Sequence, residues 1–407
     1  MLRNGKKRLS RFFYKVWRGI TCVRHRSFWP CVKKLNRRAS IRNREQERWY
    51  SRGIGFTLTL TTQKTHRTSD TMSPNKEDLG VFEEKGFVVD DASQKKVSNL
   101  FKMDESEVDY GQPIKWFNIF ALSSVHILAI YGLIVGITHI KLVTVLFNLG
   151  YGFLCIFGIT SGVHRLWAHR SYKANVPLRV ILMLCYACAG QNKIYTWVRD
   201  HRVHHKFSET PADPHNSKRG LFFSHMGWLM KKKHPLCLQQ GKKIDMSDIE
   251  NDEIVQFYDD NFEMMKGMFC FVIPTLIIRK YLGEPWWIAI LSNLVRYIIS
   301  LNGTWVVNSL AHVIGNHPYD VNIGPTDNVF AASLSFGEGW HNYHHTFPYD
   351  YRTSEFGLHK FNVPTMFIDF FAWIGWAYDR KSVSVDMALR QAKKKGDGSR
   401  FADQKAH

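Results

Sequence analysis

The chain has 407 residues, enough for one large domain or two ordinary ones, and 45% of them are apolar while 14% are aromatic. That mixture favours a protein with a few membrane spans and a large water-exposed portion. The net charge of +20 is concentrated in residues 1–50, where 16 Lys and Arg stand against Glu45 and Glu47. This argues against a nucleic-acid groove and favours a basic leader or an anionic membrane surface.

The chain divides by composition into three parts. Residues 1–100 contain no long apolar run, so they predict no cleaved signal peptide but a basic, largely disordered extension. Residues 101–385 hold the apolar segments and predict one membrane domain, and residues 386–407 predict a polar C-terminal tail. The seven cysteines lack the spacing of a disulfide framework and are expected to be reduced.

Four apolar segments are long enough to cross a hydrocarbon core, which needs about 20 residues. They are 116–140, 142–163, 264–282 and 285–311. Short connections predict that they form two helical hairpins. The last segment carries Asn293, Arg296 and Asn302, and such polar groups normally face the interior of a helix bundle.

The stretch between the two hairpins is predicted to be water-exposed. Its apolar run 176–190 is too short to span and predicts an in-plane or re-entrant helix. An even number of spans puts both termini on one side of the bilayer, and Lys and Arg near the spans make that side cytosolic. The predicted fold is therefore an all-α integral membrane protein, with four transmembrane helices in two hairpins and a cytosolic helical cap.

Three histidine motifs lie on that predicted cytosolic side. They are His164-Arg-Leu-Trp-Ala-His169, His201-Arg-Val-His204-His205 and His341-Asn-Tyr-His344-His345. A fourth piece, Asn308-Ser-Leu-Ala-His312, puts an amide and an imidazole one helical turn apart at the end of the last span.

The histidine spacing predicts a metal centre. Positions i, i+3 and i+4 share one helix face, so each HxxHH motif is expected to aim its three imidazoles at one place. Nine histidines are too many for one ion, which implies two. Zinc sites are usually four-coordinate, whereas imidazole also suits iron, so the pattern favours iron.

The sequence contains no GxGxxG after a strand and no GxxxxGK[ST], so no bound nucleotide or flavin is expected, and no haem module is evident. If the predicted iron centre reacts with O2, it must take electrons from a partner protein, because the chain has no reductant of its own. A basic cytosolic face would attract an acidic carrier.

These motifs, in this order and hairpin context, resemble those of the membrane fatty acid desaturases, and more narrowly the animal stearoyl-CoA (delta-9) desaturases. The matching text runs from Gly158 to His169, from Trp197 to Thr210 with Ala212-Asp-Pro-His-Asn216, and from Gly337 to Asp350. The likeness covers roughly residues 116–399.

The resemblance implies a reaction and its partners. Two Fe2+ ions and O2 would introduce a cis double bond into a fatty acyl-CoA, palmitoyl or stearoyl, that lies in a kinked tunnel. Electrons would come from cytochrome b5 and its NADH-dependent reductase in the endoplasmic reticulum membrane. The metal ligands would be His164, His169, His201, His204, His205, His312, His341, His344 and His345, with Asn308 acting through water.

The resemblance also implies substrate contacts. Gln191, Trp197 and Thr304 would shape the kink, and Trp305 would lie beside them. The contacts with the CoA head would be Asn118, Asn192, Arg199, Asp200, Lys232 and Lys233. Near the histidine motifs, some of Asp200, Asp213 and Glu338 are expected to orient imidazoles.

One residue suggests a chain-length preference. Ile156 precedes His164 by eight residues, about 12 Å back along the same helix face. It is expected near the closed end of the tunnel, where family members often carry something smaller. A bulky residue there would favour palmitoyl-CoA over stearoyl-CoA.

Three other functions are compatible with parts of the pattern. The nearest is a membrane fatty acyl hydroxylase, or a desaturase of other regiospecificity. Hydroxylase relatives tend to open with HxxxH, whereas His164 and His169 are five apart. The others are a zinc-dependent membrane hydrolase and a lipid-binding scaffold with inactive ligands.

Overall fold

The structure, a computed structural model, describes residues 108–355 and 362–402. The predicted extension 1–100 lies outside the described residues. Short helices and turns connect the longer elements. In chain order the α-helices are α1 Trp116–His139, α2 Leu142–Ile156, α3 Val176–Ala189, α4 Ile194–Phe207, α5 Leu221–His225, α6 Pro235–Gly241, α7 Ser247–Glu250, α8 Glu253–Asp260, α9 Phe262–Lys266, α10 Ile273–Lys280, α11 Trp286–Val313, α12 Val329–Leu334, α13 His341–Thr346, α14 Val363–Trp373 and α15 Val385–Lys395.

Two stretches of π-helix extend the longer helices. The first, Phe157–Ala168, continues α2, and the second, Gly267–Val272, joins α9 to α10. Such segments are often found at functional sites, because the extra residue per turn redirects side chains. The first one carries His164, so the histidine motif begins inside a distorted helix.

The first predicted hairpin is formed by α1 and α2. The backbone at the Lys141 turn is extended. Glu284, 143 residues farther along the chain, hydrogen-bonds to this turn. The buried Glu284 carboxylate accepts from the backbone N–H of Lys141 and from the Thr144 hydroxyl, both at 2.8 Å. This contact ties the hairpin to the loop that precedes α11.

Within residues 108–355 and 362–402, two helices are long and apolar enough to cross a membrane, Trp116–His139 and the continuous Leu142–Ala168. Glu253–Asp260 and Phe262–Lys280 qualify only as one span bent by 81°. The fourth predicted segment forms the long helix α11. Its Asn293 and Arg296 are buried, which confirms that these polar groups face the interior. The four-span topology stays a prediction.

The apolar run 176–190 forms α3, which packs against α2 and the first π-helix and buries most of its side chains. Its Cys185 and Cys188 are free and buried. After α14, Ala377–Tyr378 pairs antiparallel with Lys173–Ala174, the one sheet among residues 108–355 and 362–402. Helix α15 packs beside α13 in an apolar cluster that includes Tyr319 and Tyr343. Most of α15 lies in the segment 386–407 that was predicted to be a polar tail.

Candidate metal centre

The histidine motifs occupy four helical segments that converge. His164 lies on the first π-helix and His169 directly after it. Helix α4 carries the first HxxHH motif, α13 carries the second, and α11 brings His312 at its last turn. Residues separated by up to 180 positions therefore meet in one place.

The nine imidazoles form two groups, in each of which the candidate ligand nitrogens lie within 4.8 Å of one another. The five-histidine group consists of His164, His169, His201, His205 and His344. The four-histidine group consists of His204, His312, His341 and His345. The groups adjoin, since the rings of His205 and His345 stack with centroids 4.0 Å apart.

The prediction that each HxxHH motif aims three imidazoles at one place is wrong. On α4, His201 and His205 join the five-histidine group, whereas His204 joins the other. On α13 the assignment is reversed, and only His344 reaches the five-histidine group. The reason is helical geometry: positions i and i+4 nearly eclipse, whereas i+3 and i+4 diverge by about 100°. Each motif therefore contributes to both groups.

The donor set fits a pair of metal ions. Nε2 of His164 lies 3.0 Å from Nε2 of His344, which also lies 3.1 Å from Nε2 of His205. In the other group, Nε2 of His341 lies 3.1 Å from that of His312 and from that of His345. One nitrogen of a neutral imidazole cannot be a donor and an acceptor at once. Hydrogen bonds alone therefore do not account for all of these short Nε2–Nε2 distances. Convergent lone pairs are what a bound cation needs.

Buried carboxylates set the tautomers that make those lone pairs available. Glu338 accepts from Nδ1 of His164 at 2.9 Å, and Asp213 accepts from Nδ1 of His204 at 3.0 Å. A hydrogen on Nδ1 leaves Nε2 as a bare acceptor directed into the group. This confirms the expected role for these two acids. Asp200 pairs with Arg199 and Lys233, and no hydrogen bond joins its carboxylate to a histidine among the residues that the structure describes.

Electrostatics keep the two acids ionised. Burial raises the pKa of Glu338, but the Arg165 guanidinium and then His164 outweigh it and lower that pKa to about 2. The pKa of Asp213 is likewise held below its usual range, because His204 and His215 outweigh its burial. Both groups therefore supply negative charge at neutral pH beside imidazoles that would bear cations.

The imidazoles themselves are held neutral. Burial first, and then the neighbouring rings, lower the pKa of His201, His205 and His344 well below the usual histidine value. The same causes act on His341 and His345. A neutral ring is the form that binds a metal.

A cavity of about 530 Å³ leads from the histidines into the apolar bundle. His164, His201 and His341 line one end, and Ile140 and Val145, at the turn of the first hairpin, line the other. Asn308, one turn before His312, also lines it. An apolar space that reaches a metal-binding group suits a long hydrocarbon chain.

The residues predicted to shape a kink are brought together. Trp197 and Thr304 line the cavity. Gln191 joins them, because its amide donates to the Thr304 hydroxyl at 2.9 Å and accepts from the Trp197 indole at 3.0 Å. Trp305 is buried but is not among the lining residues; it packs between the rings of His126 and His225. The contact of Trp305 with substrate stays a prediction.

The residues predicted to meet the CoA head lie outside the cavity lining, and most of them cluster. Arg199 and Lys233 pair with Asp200, and the backbone N–H of Lys232 donates to the carbonyl of Pro113. Asn118 donates to the carbonyl of Leu229, three residues before Lys232. Asn192 is exposed at the turn before α4, where its carbonyl accepts from Tyr186.

Ile156 lines the cavity, and its place near a closed end stays a prediction. The lining continues along the same helix to Gly152, Leu149 and Val145. The preference for palmitoyl-CoA likewise stays a prediction. Local spacing places Ile156 on the correct helix face but carries no information on where the cavity ends.

Three further residues of the site were missed from the sequence. Arg165, inside the first motif, is fully buried and donates to Glu338. Glu209 lies 3.5 Å from Nδ1 of His312, and its place four residues after His205 was the available signal. Lys115 lies close enough to Asp200, Lys232 and Lys233 to feel their charges, and burial and then Lys233 lower its pKa.

Comparison with known proteins agrees with this site. The profile of the family described as Fatty acid desaturase matches residues 141–377. The Acyl-CoA Delta-9 desaturase of Acheta domesticus is 51% identical over 291 residues, 71% of this chain and 81% of that protein. The Acyl-CoA Delta(11) desaturase of Spodoptera littoralis is 49% identical, with 70% and 85% covered. Human Stearoyl-CoA desaturase is 47% identical, with 70% and 79% covered.

The matched region contains all nine clustered histidines, both carboxylates that orient them and most of the cavity. The chain therefore belongs to the fatty acid desaturase family of oxidoreductases.

Proposed function

We propose that the protein is an acyl-CoA delta-9 desaturase, which uses O2 to introduce a cis double bond into palmitoyl-CoA or stearoyl-CoA. The observation that carries this proposal is the cavity that joins both histidine groups to an apolar interior. Such a space accepts a saturated chain but offers it no polar anchor, so the reacting carbons must be selected by position.

The nine clustered histidines would hold two Fe2+ ions, with Asn308 acting through a water. When bound, these ions supply the O2-dependent oxidation that removes one hydrogen from each of two adjacent methylenes. Glu338 and Asp213 hold the protons on Nδ1 of His164 and His204, which keeps the opposite nitrogens available as ligands. Burial excludes water from most of the site.

A bend in the cavity beside the histidines would determine the cis geometry. Gln191 holds Thr304 and Trp197 in one hydrogen-bonded unit at the wall beside the histidines. These two hydrogen bonds hold the wall in place where the chain would turn. A chain bent at the reacting carbons presents its two hydrogens on the same side.

The double-bond position would follow from the distance between an anchor and the histidines. Lys115, Arg199, Lys232 and Lys233 surround Asp200, so the cluster has excess positive charge. Lysine and arginine side chains suit the phosphates of the CoA head. A fixed head would then place one particular pair of methylenes at the metal centre.

We further propose that the enzyme is a four-span protein of the endoplasmic reticulum membrane, with both termini cytosolic. The two apolar helices of the first hairpin support this arrangement, and the bent α9–α10 and the 28-residue α11 would supply the other two spans. Cytochrome b5, reduced by its NADH-dependent reductase, would deliver the electrons, since the chain carries no nucleotide or flavin motif.

Expression in cells that lack their own delta-9 activity, followed by fatty acid profiling, tests the proposal. We expect cis-9 palmitoleate and oleate from the wild-type chain, and none after replacement of both His204 and His344, one from each group. Bonds at another position, such as delta-11, would replace the proposed regiospecificity. Hydroxylated products would indicate the hydroxylase alternative. Zinc in the purified protein, with activity independent of O2, would indicate a hydrolase.

A further inference from the structure

The two arms of the first hairpin diverge. Helices α1 and α2 each pack against α11, whereas contact between them is slight. Gly132 allows the close approach of α1, because a Cβ there would come 2.9 Å from Cβ of Leu291 on α11. A slit therefore opens between α1 and α2, with α11 as its floor.

Residues that border this slit line the cavity and are also exposed at the surface. Leu133 and Ile137 on α1 are 58% and 81% exposed, and Leu149 on α2 is 58% exposed. Ile299, on the floor, is 65% exposed. Side chains that belong to both surfaces indicate that the cavity is open on its lipid-facing side.

Small residues keep the slit clear. A Cβ at Gly152 would meet nothing within 4 Å, and one at Gly136 would first meet the Ile140 side chain at 4.0 Å. Both glycines line the cavity. The space beside them is therefore not filled by other residues that the structure describes.

The open part lies beyond the reach of an ordinary substrate. From His164 to Val145 the cavity follows the helix for roughly 28 Å at about 1.5 Å per residue. The tail of stearoyl-CoA beyond a delta-9 double bond covers only roughly 10 Å at about 1.3 Å per carbon–carbon bond. The half of the cavity that is farther from the histidines would be filled only by acyl chains longer than the stearoyl chain.

We infer that the acyl channel is open to the bilayer between α1 and α2, so that the methyl end of a long chain passes into the lipid. Very-long-chain saturated acyl-CoAs are then substrates as well as palmitoyl-CoA and stearoyl-CoA. This inference rests on the proposed acyl-CoA desaturation. The lipid is the natural continuation of the channel, because the bordering side chains are apolar and already face it.

The first test is a chain-length series from C16 to C24 with purified enzyme in nanodiscs and its electron donors. We expect kcat/KM for C22 and C24 within about tenfold of that for C18, since added methylenes leave the protein for lipid. A fall of more than about a hundredfold between C18 and C22 would indicate a closed end and overturn the inference. Absence of product at every length would instead reject the proposed function.

A variant pair locates the opening. Gly152→Leu puts a side chain into the channel, whereas Gly150→Leu is matched for composition and also has free space at its Cβ, but Gly150 does not line the cavity. We expect G152L to lose at least about tenfold in the C22/C16 ratio of kcat/KM, and G150L to keep the wild-type ratio. Equal ratios in all three proteins would contradict the channel path.

A measurement independent of turnover covers the case in which G152L folds poorly. A C22 acyl-CoA with a terminal diazirine is bound in nanodiscs and photolysed. We expect cross-links to phospholipid as well as to the lining of the slit near Ile137 and Leu149. Cross-links to protein alone, with none to phospholipid, would show that the end is enclosed and would overturn the inference.

Discussion

Arg296 donates a hydrogen bond to the carbonyl oxygen of Cys270 at 2.9 Å. Pro274 lies four residues after Cys270 and has no N–H with which to satisfy that carbonyl. Asn293 also donates to it, at 3.1 Å, and accepts from Nε of Arg296. The remaining guanidinium hydrogens reach the Cys188 carbonyl and the sulfurs of Cys155 and Cys270. One buried cation thus connects four helical segments where water is scarce.

Replacement of Arg296 by Met is expected to destabilise the protein by about 2 kcal/mol, because two buried carbonyls lose their charged donor. Thermal unfolding in detergent measures the effect. Arg279→Met, which changes the same residue type at an exposed position, is the control. An unchanged melting temperature for R296M would mean that backbone rearrangement satisfies the carbonyls without the arginine.

Glu338→Gln and Asp213→Asn are expected to lower iron binding at different groups. Glu338 contacts His164 of the five-histidine group, and Asp213 contacts His204 of the four-histidine group. Loss of such a partner typically costs about 10–100-fold in metal affinity. Iron per protein is measured after dialysis against a weak chelator.

Each of these single variants is expected to retain close to half of the wild-type iron, and the double variant close to none. Asp386→Asn, on the exposed first turn of α15, is the control. Retention of all the iron by both single variants would show that the carboxylates do not support the ligands.

Thr304→Val removes the hydroxyl that accepts from Gln191 while it preserves the shape of the side chain. The Gln191 amide then loses a buried partner, and its hold on the Trp197 indole weakens. We expect kcat to fall about tenfold with unchanged iron content, because the acyl chain is held less firmly in its bent conformation. Activity and iron content equal to those of the exposed control Thr138→Val would argue against a positioning role.

Lys232→Met is expected to raise the KM for acyl-CoA several-fold and to weaken its dependence on salt. The Lys232 side chain is exposed and contributes charge to the cluster that holds Asp200 and Lys233. The loss of one positive charge weakens the attraction to the CoA phosphates. Salt then reduces binding less, because a smaller part of the binding energy is electrostatic. The control is Lys242→Met, an exposed lysine elsewhere on the surface. Identical salt profiles for both variants would place the CoA head elsewhere.

The chemistry of this protein was readable from local patterns. Histidines at i, i+3 and i+4 identify a metal-binding helix face, and long apolar runs identify α1 and α2, because helical periodicity and span length depend only on nearby residues. The burial of Asn293 and Arg296 followed in the same way, since polar groups at that depth must face protein.

Only the tertiary structure decided how these pieces are used. Helical spacing accounts for the separation of i+3 from i and i+4 in each HxxHH motif, but which imidazoles of α4 and α13 join one group depends on how the two helices face each other. The choice of Asp213 and Glu338 over Asp200 as partners of histidine is likewise made by distant contacts. The channel beyond Ile156 exists because α1 and α2 pack on α11 and not on each other. The distance between two helices is set by the packing of the whole bundle. No single residue in the sequence could therefore indicate that the channel continues beyond Ile156.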